Sequence, residues 1–459
     1  MLQRRDVLSA LTSLALASGL GGLPALAAAA PKRQLPWRNW SGSQQCLPQA
    51  RLAPASVSEL QELVVSTAGV IRPVGSGHSF SALVPTEGTL VSLSRMAGVG
   101  EIDHDSLQAT IGGGTRLGDI GQPLQDAGQA LINMPDIDEQ SLAGSLATAT
   151  HGTGAGLGCM STLVTGLQLV NAKGELVECD ADRNADLFQA ARVSLGSLGL
   201  ITQVRMQNVA PYRLRRETVW MELEEMLENA ESMADQHRNF EFYYVPFSGW
   251  GFTDAHDITD EPIGSTDKED PNEGVMTLKT VRDWLGDTPS LRRFGLSTYA
   301  SLLDEEVTVG NSWNNYANER NVRFNEMEYH LPRESGLQAL REIINTLESS
   351  HHEVFFPMEV RYVKGDDIWL SPFFARDSVS IAVHRYFDED YEPYFSAIEP
   401  IMRKYGGRPH WGKLNTLSQQ DFRQLYPHWN DFVEVRRQMD PDGRFLNPYL
   451  STLFRQGLG

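Results

Sequence analysis

Residues 72–80 read Arg-Pro-Val-Gly-Ser-Gly-His-Ser-Phe and open the most glycine-rich part of a 459-residue chain. Residues 71–158 hold 16 of the chain's 40 glycines. The clusters begin at Gly75, Gly112, Gly144 and Gly152. Glycine lets backbone N–H groups approach a phosphate closely and permits positive φ. Loops of this kind are typical of a dinucleotide site that needs no lysine.

The stretch does not match the common dinucleotide motif of parallel α/β folds. Phe80 stands where G-x-G-x-x-G has its third glycine, and no βαβ frame with an acidic residue follows at the right distance. The phosphate-binding pattern G-x-x-x-x-G-K-[ST] is absent as well. Tight turns in a β-rich domain would explain each glycine singly. Their concentration in so short a span favours a dinucleotide site on a different fold.

The composition limits the class of partner. The chain has 39 Lys and Arg against 59 Asp and Glu, a formal net charge of −20, so it repels phosphate backbones and we expect no nucleic-acid partner. Three cysteines in the whole chain exclude a disulfide scaffold. Cys46, Cys159 and Cys179 allow at most one disulfide, and their spacing does not indicate a pair.

Residues 1–30 have the pattern of an export signal. Arg4 and Arg5 precede an apolar stretch that ends in small residues, with an A-x-A cleavage pattern at 25–27 or 28–30. Paired arginines indicate twin-arginine export of an already folded protein. A membrane anchor is the alternative, which the glycines and the proline in the stretch disfavour. We expect an exported, periplasmic protein without stable membrane insertion once the signal is removed.

Beyond about residue 210 glycine thins out and longer periodic patterns begin. Met221–Arg238 and Glu334–Ser349 have the spacing of helices. The acidic, turn-rich segment Thr253–Gly274 is predicted to be a solvated loop, because it lacks the ligand spacing of a calcium loop. Strands are predicted over Glu241–Pro246, Arg323–Leu331, Glu353–Val363 and Val379–Phe387.

Several motifs together resemble one flavoprotein superfamily. Gly-Ser-Gly-His-Ser at 75–79 resembles the flavin-attachment loop of the vanillyl-alcohol oxidase superfamily, and more narrowly that of its sugar-lactone and alditol oxidase branch. The resemblance is collinear over nearly the whole chain after residue 30, and His-Trp-Gly-Lys at 410–413 is its most specific later part. The matching segments are Ile132–Gly154, Asn325–Glu334, Met358–Pro372, Gly406–Lys413 and Met439–Leu450.

The resemblance implies an α+β fold with a defined domain order. An FAD-binding domain of two α+β subdomains is expected over residues 31–209. A cap domain, with an antiparallel sheet flanked by helices, is expected over 210–408. Residues 409–459 would complete the FAD region, and the active site would lie between the domains, where ligand pockets commonly occur.

The resemblance also implies FAD bonded covalently through His78. An imidazole nitrogen can attack the electrophilic 8α carbon of the flavin, and Gly75 and Gly77 would let the backbone pass beside the ring. Lys413 would supply the cation that stabilises negative charge on the reduced flavin. Further residues expected at the cofactor are Ser76, Ser79, Phe80, Ser141, Gly144, Ser145, Thr148, His151, Gly152, Gly154, Ile201 and His410.

The implied reaction moves a hydride from a carbinol C–H to the flavin while the hydroxyl loses its proton. Glu359 and Arg361 lie two residues apart on a predicted strand, so their side chains share a face, where the family uses this pair beside the substrate. A plain ion pair is the alternative. Ser141 and His384 are further substrate candidates. No metal site is expected, because the histidines lack paired-ligand spacing.

Two departures from the family patterns bear on the substrate and the electron acceptor. Ala382 stands where alditol oxidases carry a substrate-side histidine, with His384 two residues further on the same face, which favours a lactone. Pro135 stands where related dehydrogenases carry an alanine that gates oxygen, which favours an oxidase.

We therefore expect oxidation of an L-gulono- or D-arabinono-1,4-lactone, with O2 reduced to H2O2. The alternatives are an alditol oxidase, a dehydrogenase that uses a cytochrome or quinone, and a sugar-binding protein without redox chemistry.

Overall fold

The computed structural model describes residues 34–264, 271–318 and 320–455, so the predicted export signal lies outside the described residues. Residues 35–459 form one unit of the chain, with which the following description deals. The strands are β1 (Trp37–Arg38), β2 (Gln45–Cys46), β3 (Ala50–Leu52), β4 (Ile71–Pro73), β5 (Thr89–Val91), β6 (Val99–Asp103), β7 (Gln108–Gly112), β8 (Val164–Val170), β9 (Leu176–Asp180), β10 (Leu200–Gln207), β11 (Arg213–Glu222), β12 (Asn239–Val245), β13 (Trp250–Thr259), β14 (Glu306–Asn311), β15 (Phe324–Pro332), β16 (Met358–Val363), β17 (Ser378–Tyr386) and β18 (Arg408–Pro409).

Helices connect and cover these strands. The α-helices are α1 (Val57–Ser66), α2 (Gly121–Asp126), α3 (Leu142–Ala147), α4 (Ala185–Ala191), α5 (Leu223–Gln236), α6 (Pro271–Leu285), α7 (Pro289–Ala300), α8 (Ser312–Tyr316), α9 (Arg333–Ser350), α10 (Glu392–Lys404), α11 (Gln419–Leu425), α12 (Trp429–Met439) and α13 (Pro448–Phe454). Short 3-10 turns lie at Leu117–Asp119 and Met160–Leu163. None of the helices in the described ranges has the length and apolar character needed to cross a bilayer.

The first half of the chain builds a two-stranded antiparallel sheet of β1 and β2 and two larger sheets around the glycine loops. Strands β3, β5 and β4 form a parallel sheet, and β6-β7-β10-β8-β9 form an antiparallel one. Strand β4 ends at Pro73 and delivers the chain directly into the loop that begins at Val74. The C-terminal segment returns to this region, since the side-chain amide of Asn447 donates to the carbonyls of Ala82 and Pro85.

The second half builds an eight-stranded antiparallel sheet, in the order β14-β11-β13-β12-β16-β17-β15-β18. One face packs against α5, α9 and α10. Tyr362 on that face donates to Glu231 of α5 at 3.2 Å. Because side chains alternate along a strand, the neighbouring Glu359 and Arg361 point to the other face. That face carries a row of buried charged side chains.

This architecture confirms the predicted α+β class with an antiparallel sheet flanked by helices. Helices α5 and α9 confirm the two predicted helices to within a few residues at each end. The predicted boundary near residue 209 falls between β10 and β11, which belong to different sheets. The domain bounds themselves stay a prediction.

Two predicted segments were wrong in their extent. Thr253–Gly274 is not a loop throughout, because β13 continues to Thr259 and α6 begins at Pro271. Asp254 on β13 is buried, and the guanidinium of Arg216 on β11 contacts both of its carboxylate oxygens. Arg216 is distant from Asp254 in sequence. The acidic composition of the segment therefore predicted a solvated loop where the structure has a strand.

The strand predicted over Glu353–Val363 begins only at Met358. Pro357 has no N–H with which to enter the ladder, so pairing starts after it. Its carbonyl lies 3.1 Å from Nδ1 of His384 instead.

Candidate active site

A cavity of about 390 Å³ runs along the glycine loops. Its wall contains loop 74–80, the first turns of α3 and the start of β15. The charged residues of the wall are Arg72, Arg116, Asp119, Arg320, Glu326 and Lys413. Four cations face two carboxylates here, whereas the whole chain is strongly acidic. A locally positive wall on an acidic protein suits an anionic ligand such as a dinucleotide.

Glycine is required where the cavity wall is most tightly packed. A Cβ on Gly114 would lie 1.8 Å from the carbonyl oxygen of Leu93, and a Cβ on Gly75 would lie 2.2 Å from Oγ of Ser141. Gly77 has φ +77°, a conformation that L side chains rarely adopt. These glycines let backbone segments close on one another and line a narrow groove with amides, which fits a bound pyrophosphate.

Arg72 ties this groove together. Its guanidinium donates to the backbone carbonyls of Leu83, Leu195, Gly196 and Phe445 at 2.6–3.0 Å. Burial lowers the pKa of Arg72 to about 9, so the group stays charged at neutral pH. One buried cation thus joins the β4 end, the loop after α4 and the C-terminal segment.

His78 lies on the cavity wall with its ring stacked on Trp40, at 5.7 Å between centroids and 25° between planes. Burial, and then the charges of Lys413 and Arg116, lower the pKa of His78 to about 4. The imidazole is therefore neutral at pH 7 and keeps a nitrogen lone pair. This is the state that the predicted attachment chemistry needs.

Most of the predicted cofactor residues share this wall. Those that line it are Gly75, Ser76, Gly77, His78, Ser79, Phe80, Ser141, Gly144, Thr148, Ile201, His410 and Lys413. Trp411 lies behind them, and its indole N–H donates to the carbonyl of Leu370 at 2.6 Å.

Four predicted cofactor residues do not line the wall: Ser145, His151, Gly152 and Gly154. Ser145 turns inward and donates to the carbonyl of Leu142. Gly154 joins the loop to the large sheet, because its N–H donates to the carbonyl of Tyr362 on β16. Gly152 packs closely against the segment before α3, since a Cβ there would lie 2.1 Å from the carbonyl oxygen of Met134.

Behind the cavity, the face of the eight-stranded sheet opposite α5, α9 and α10 carries a buried network of charged side chains. We call this face the charged face. Nη2 of Arg361 lies 2.6 Å from Glu328, and its Nε lies 3.7 Å from Glu359. His151 also contacts Glu328, at 3.0 Å. Glu359 and Arg361 are thus on one face, as predicted, but they lie behind the cavity wall rather than in it.

Glu326 connects the wall to this network. It lines the cavity, pairs with Nζ of Lys413 and lies 3.7 Å from Nε2 of His384. Burial lowers the pKa of His384 to about 4, so its ring is neutral. Glu326, Glu359 and His384 bring one polar atom each to within 4.8 Å of one another. This is the convergent polar site next to the cavity.

The network holds more carboxyl groups than cations. Its carboxyl groups are Asp136, Glu241, Glu326, Glu328 and Glu359, and its cations are Arg320, Arg361 and Lys413.

The pKa values of these carboxyl groups shift in opposite directions. Although burial opposes ionisation, Arg361 and His151 hold the pKa of Glu328 well below its ordinary value. Arg320 and Arg361 outweigh burial at Asp136 and lower its pKa to about 2. Burial raises the pKa of Glu241 and of Glu326.

The remaining candidates flank this network. Pro135 is buried and directly precedes Asp136, but it does not line the cavity. Ala382 pairs in register with Glu359 and with Glu328, in the middle of the charged face. His384 lies two residues after Ala382 on β17, where it pairs in register with Glu326 on β15.

Two groups among the described residues have metal-ligand character: His151, Glu328 and His410, and Glu326, Glu359 and His384. Each contains a carboxylate that already contacts a basic side chain, Arg361 in the first group and Lys413 in the second. A metal cation would compete with those contacts.

Sequence reasoning missed Glu326, Glu328, Arg320 and Asp136. Glu326 and Glu328 have the same two-residue spacing as Glu359 and Arg361, within a segment already recognised as similar to the family. That alternation could have identified them. Arg320 and Asp136 lie in irregular segments that carry no periodic signal.

The comparisons with known proteins first define the class. The profile of an FAD-binding domain matches residues 48–180, which contain the glycine loops. A solvent-stable cholesterol oxidase shares the fold with a TM-score of 0.77, at 19% identity over 92% of this chain and 97% of that one. Cholesterol oxidase from B. sterolicum gives a TM-score of 0.73 at 17% identity, with the same coverage. The protein is an FAD-binding oxidoreductase with the fold of the vanillyl-alcohol oxidase superfamily.

The family follows from closer matches. The profile of D-arabinono-1,4-lactone oxidase matches residues 204–453. An L-gulono-1,4-lactone dehydrogenase of Mycobacterium tuberculosis is 36% identical, over 90% of this chain and 97% of the relative. The L-gulonolactone oxidase of Bos taurus is 32% identical (91% and 98%), and the alditol oxidase of a Streptomyces species is 27% identical (90% and 98%). The chain belongs to the D-arabinono-1,4-lactone oxidase family.

Gly114→Ala tests whether the groove is the FAD site. The added methyl group would overlap the Leu93 carbonyl, and overpacking of this kind typically costs about 1–3 kcal/mol. We expect less flavin per protein, measured from the ratio of flavin to protein absorbance. Gly156→Ala is the control, because nothing lies within 4 Å of its added Cβ. Full flavin occupancy in Gly114→Ala would contradict the assignment.

Proposed function

We propose that this protein oxidises a carbinol group of an aldono-1,4-lactone of the L-gulono or D-arabinono type. The observation that carries the proposal is the convergence of Glu326, on the wall of the FAD groove, with Glu359 and His384 directly behind that wall. Relatives named for L-gulonolactone at 32–36% identity support the substrate class. The acidic network suits a neutral, hydroxyl-rich substrate better than an anionic one.

The side chains of the site can bind and orient such a substrate. Bound FAD supplies hydride-accepting chemistry. Glu326 and Glu359 offer carboxylate oxygens to substrate hydroxyls, and neutral His384 offers either a donor or an acceptor. Arg361 offers donors and holds the neighbouring carboxylates in place. The charge of Lys413, on the groove wall, favours an electron-rich ligand there.

Substrate class and acceptor are assigned from two positions. Ala382 puts a methyl group in the middle of the charged face, where alditol oxidases carry a histidine, so we assign a lactone in preference to an open-chain polyol.

Pro135 favours O2 as the acceptor, with H2O2 as the product. The mycobacterial relative is named a dehydrogenase, so a cytochrome or quinone acceptor is the second candidate.

Steady-state rates with three substrates test this proposal. We expect L-gulono-1,4-lactone and D-arabinono-1,4-lactone to drive oxygen uptake and peroxide formation, with little turnover of xylitol. Turnover that needs an added dye or cytochrome c would support the dehydrogenase instead. Turnover of xylitol alone would contradict the assignment of a lactone.

The FAD is proposed to be bonded to His78. The neutral ring, its place on the wall and its fixed stacking on Trp40 support this attachment. A fixed, unprotonated nitrogen can act as the nucleophile without first losing a proton.

His78→Ala tests the bond. We expect native protein to keep its yellow colour through acid precipitation, whereas the variant releases its flavin into the supernatant. His104→Ala, at an exposed turn, should behave as the native protein does. Flavin that stays with precipitated His78→Ala would place the attachment elsewhere.

Export by a twin-arginine signal is proposed from Arg4 and Arg5. Cell fractionation of the native chain and of a variant with both arginines changed to lysine tests it. We expect flavin-loaded enzyme in the periplasm only for the native chain. Equal periplasmic amounts of the two would contradict the route.

A further inference from the structure

One hydroxyl group on the charged face lies between two carboxyl groups. Oη of Tyr243 is 3.0 Å from Oε1 of Glu241 and 2.9 Å from Oε1 of Glu359. A phenol has a single hydrogen, so it can donate to only one of the two. The second contact is a hydrogen bond only if that carboxyl group carries a proton and donates to the phenol oxygen.

The surroundings identify Glu241 as the protonated partner. Its Oε2 is buried without a hydrogen-bond partner among the described residues. Asp254, opposite it on β13, already contacts Arg216 through both oxygens. A neutral carbonyl oxygen left without a partner costs less than an ionised one. Glu359, in contrast, has the Arg361 guanidinium at 3.7 Å.

The charges facing Glu241 agree with this assignment. After burial, the largest influences that raise its pKa are Glu359 and Asp254, whereas Arg361 opposes them. Burial likewise raises the pKa of Tyr243 well above its ordinary value, so the phenol keeps its hydrogen.

The sheet fixes the geometry of the contact. Tyr243 and Glu359 are directly opposed in the pairing of β12 with β16, and Glu241 is opposed to Arg361. The ring of Phe252 stacks on Tyr243, at 4.7 Å between centroids and 13° between planes. The hydroxyl therefore has little freedom to turn away from Oε1 of Glu359.

We propose that Glu241 is a neutral carboxylic acid that donates to Tyr243, that Tyr243 donates in turn to Glu359, and that both are positioning residues for Glu359. The inference rests on the proposed function, in which Glu359 meets the substrate hydroxyl. No proton is transferred in this arrangement. The Glu241 proton directs the single Tyr243 hydrogen toward Glu359 and fixes one carboxylate oxygen while the substrate binds.

Infrared difference spectra of the FAD-loaded enzyme test the proton directly. We expect the native protein at pH 7 to show the C=O stretch of a protonated carboxyl group that is missing from Glu241→Gln. Burial also raises the pKa of Glu326, so the spectrum of Glu326→Gln is recorded to distinguish any contribution of Glu326 from that of Glu241. Native and Glu241→Gln spectra without a difference in this region would overturn the proposal.

Anaerobic reduction of the flavin by L-gulono-1,4-lactone tests the positioning role. Tyr243→Phe removes the donor to Glu359, and Glu241→Leu removes the donor that orients the Tyr243 hydroxyl. We expect the limiting rate to fall in both variants, by about tenfold, while the substrate dissociation constant changes little. Glu241→Gln should restore the rate to within about twofold, because its neutral amide can still donate to Tyr243. Glu241→Gln as slow as Glu241→Leu would overturn the proposal.

The two readouts separate this inference from the proposed function. If no lactone reduces the flavin of the native enzyme, the proposed function fails, while the infrared difference still decides whether Glu241 carries the proton. If lactone reduces the native flavin and Tyr243→Phe reacts at the native rate, the positioning role alone is overturned. Unchanged flavin spectra and melting temperatures confirm that each variant is folded.

Discussion

The buried guanidinium of Arg361 is the contact on which the charged face of the sheet depends. It contacts Glu328 at 2.6 Å and lies within 3.7 Å of Glu359 and of Asp136, so one cation serves three carboxylates on three chain segments. Breaking a buried charged pair by removing one partner typically costs about 3–5 kcal/mol. Without Arg361, these carboxylates would have to take up protons or reach water, and the charged face would lose its arrangement.

The two halves of the chain differ in composition, and each half forms a different part of the site. Glycine and one carbonyl-bound arginine, Arg72, shape a groove for a dinucleotide in the first half of the chain, and Arg320 and Lys413 from the second half add to its positive charge. The second half supplies an antiparallel sheet whose charged face is mostly acidic. Lys413 and Glu326 pair where groove and sheet meet.

The sequence predicted the class of fold, the groove and the face shared by Glu359 and Arg361, because glycine clusters and two-residue spacing are local signals. It missed the contact of Tyr243 with Glu359 and that of Asp254 with Arg216, because strand pairing alone brings these partners together. Gly152 and Gly154 are predicted at the cofactor, but the structure packs Gly152 against Met134 and Gly154 against β16 of the sheet. Composition does not distinguish a glycine that meets a ligand from one that meets another strand.

We propose that the groove holds FAD while the charged face of the sheet acts on the substrate. Anaerobic mixing of Glu359→Gln with L-gulono-1,4-lactone, followed at the flavin absorbance, tests it most directly. We expect a full flavin complement, an unchanged flavin spectrum and bleaching at least about tenfold slower than in the native enzyme. Bleaching at the native rate, or loss of the flavin itself, would contradict the division between groove and sheet.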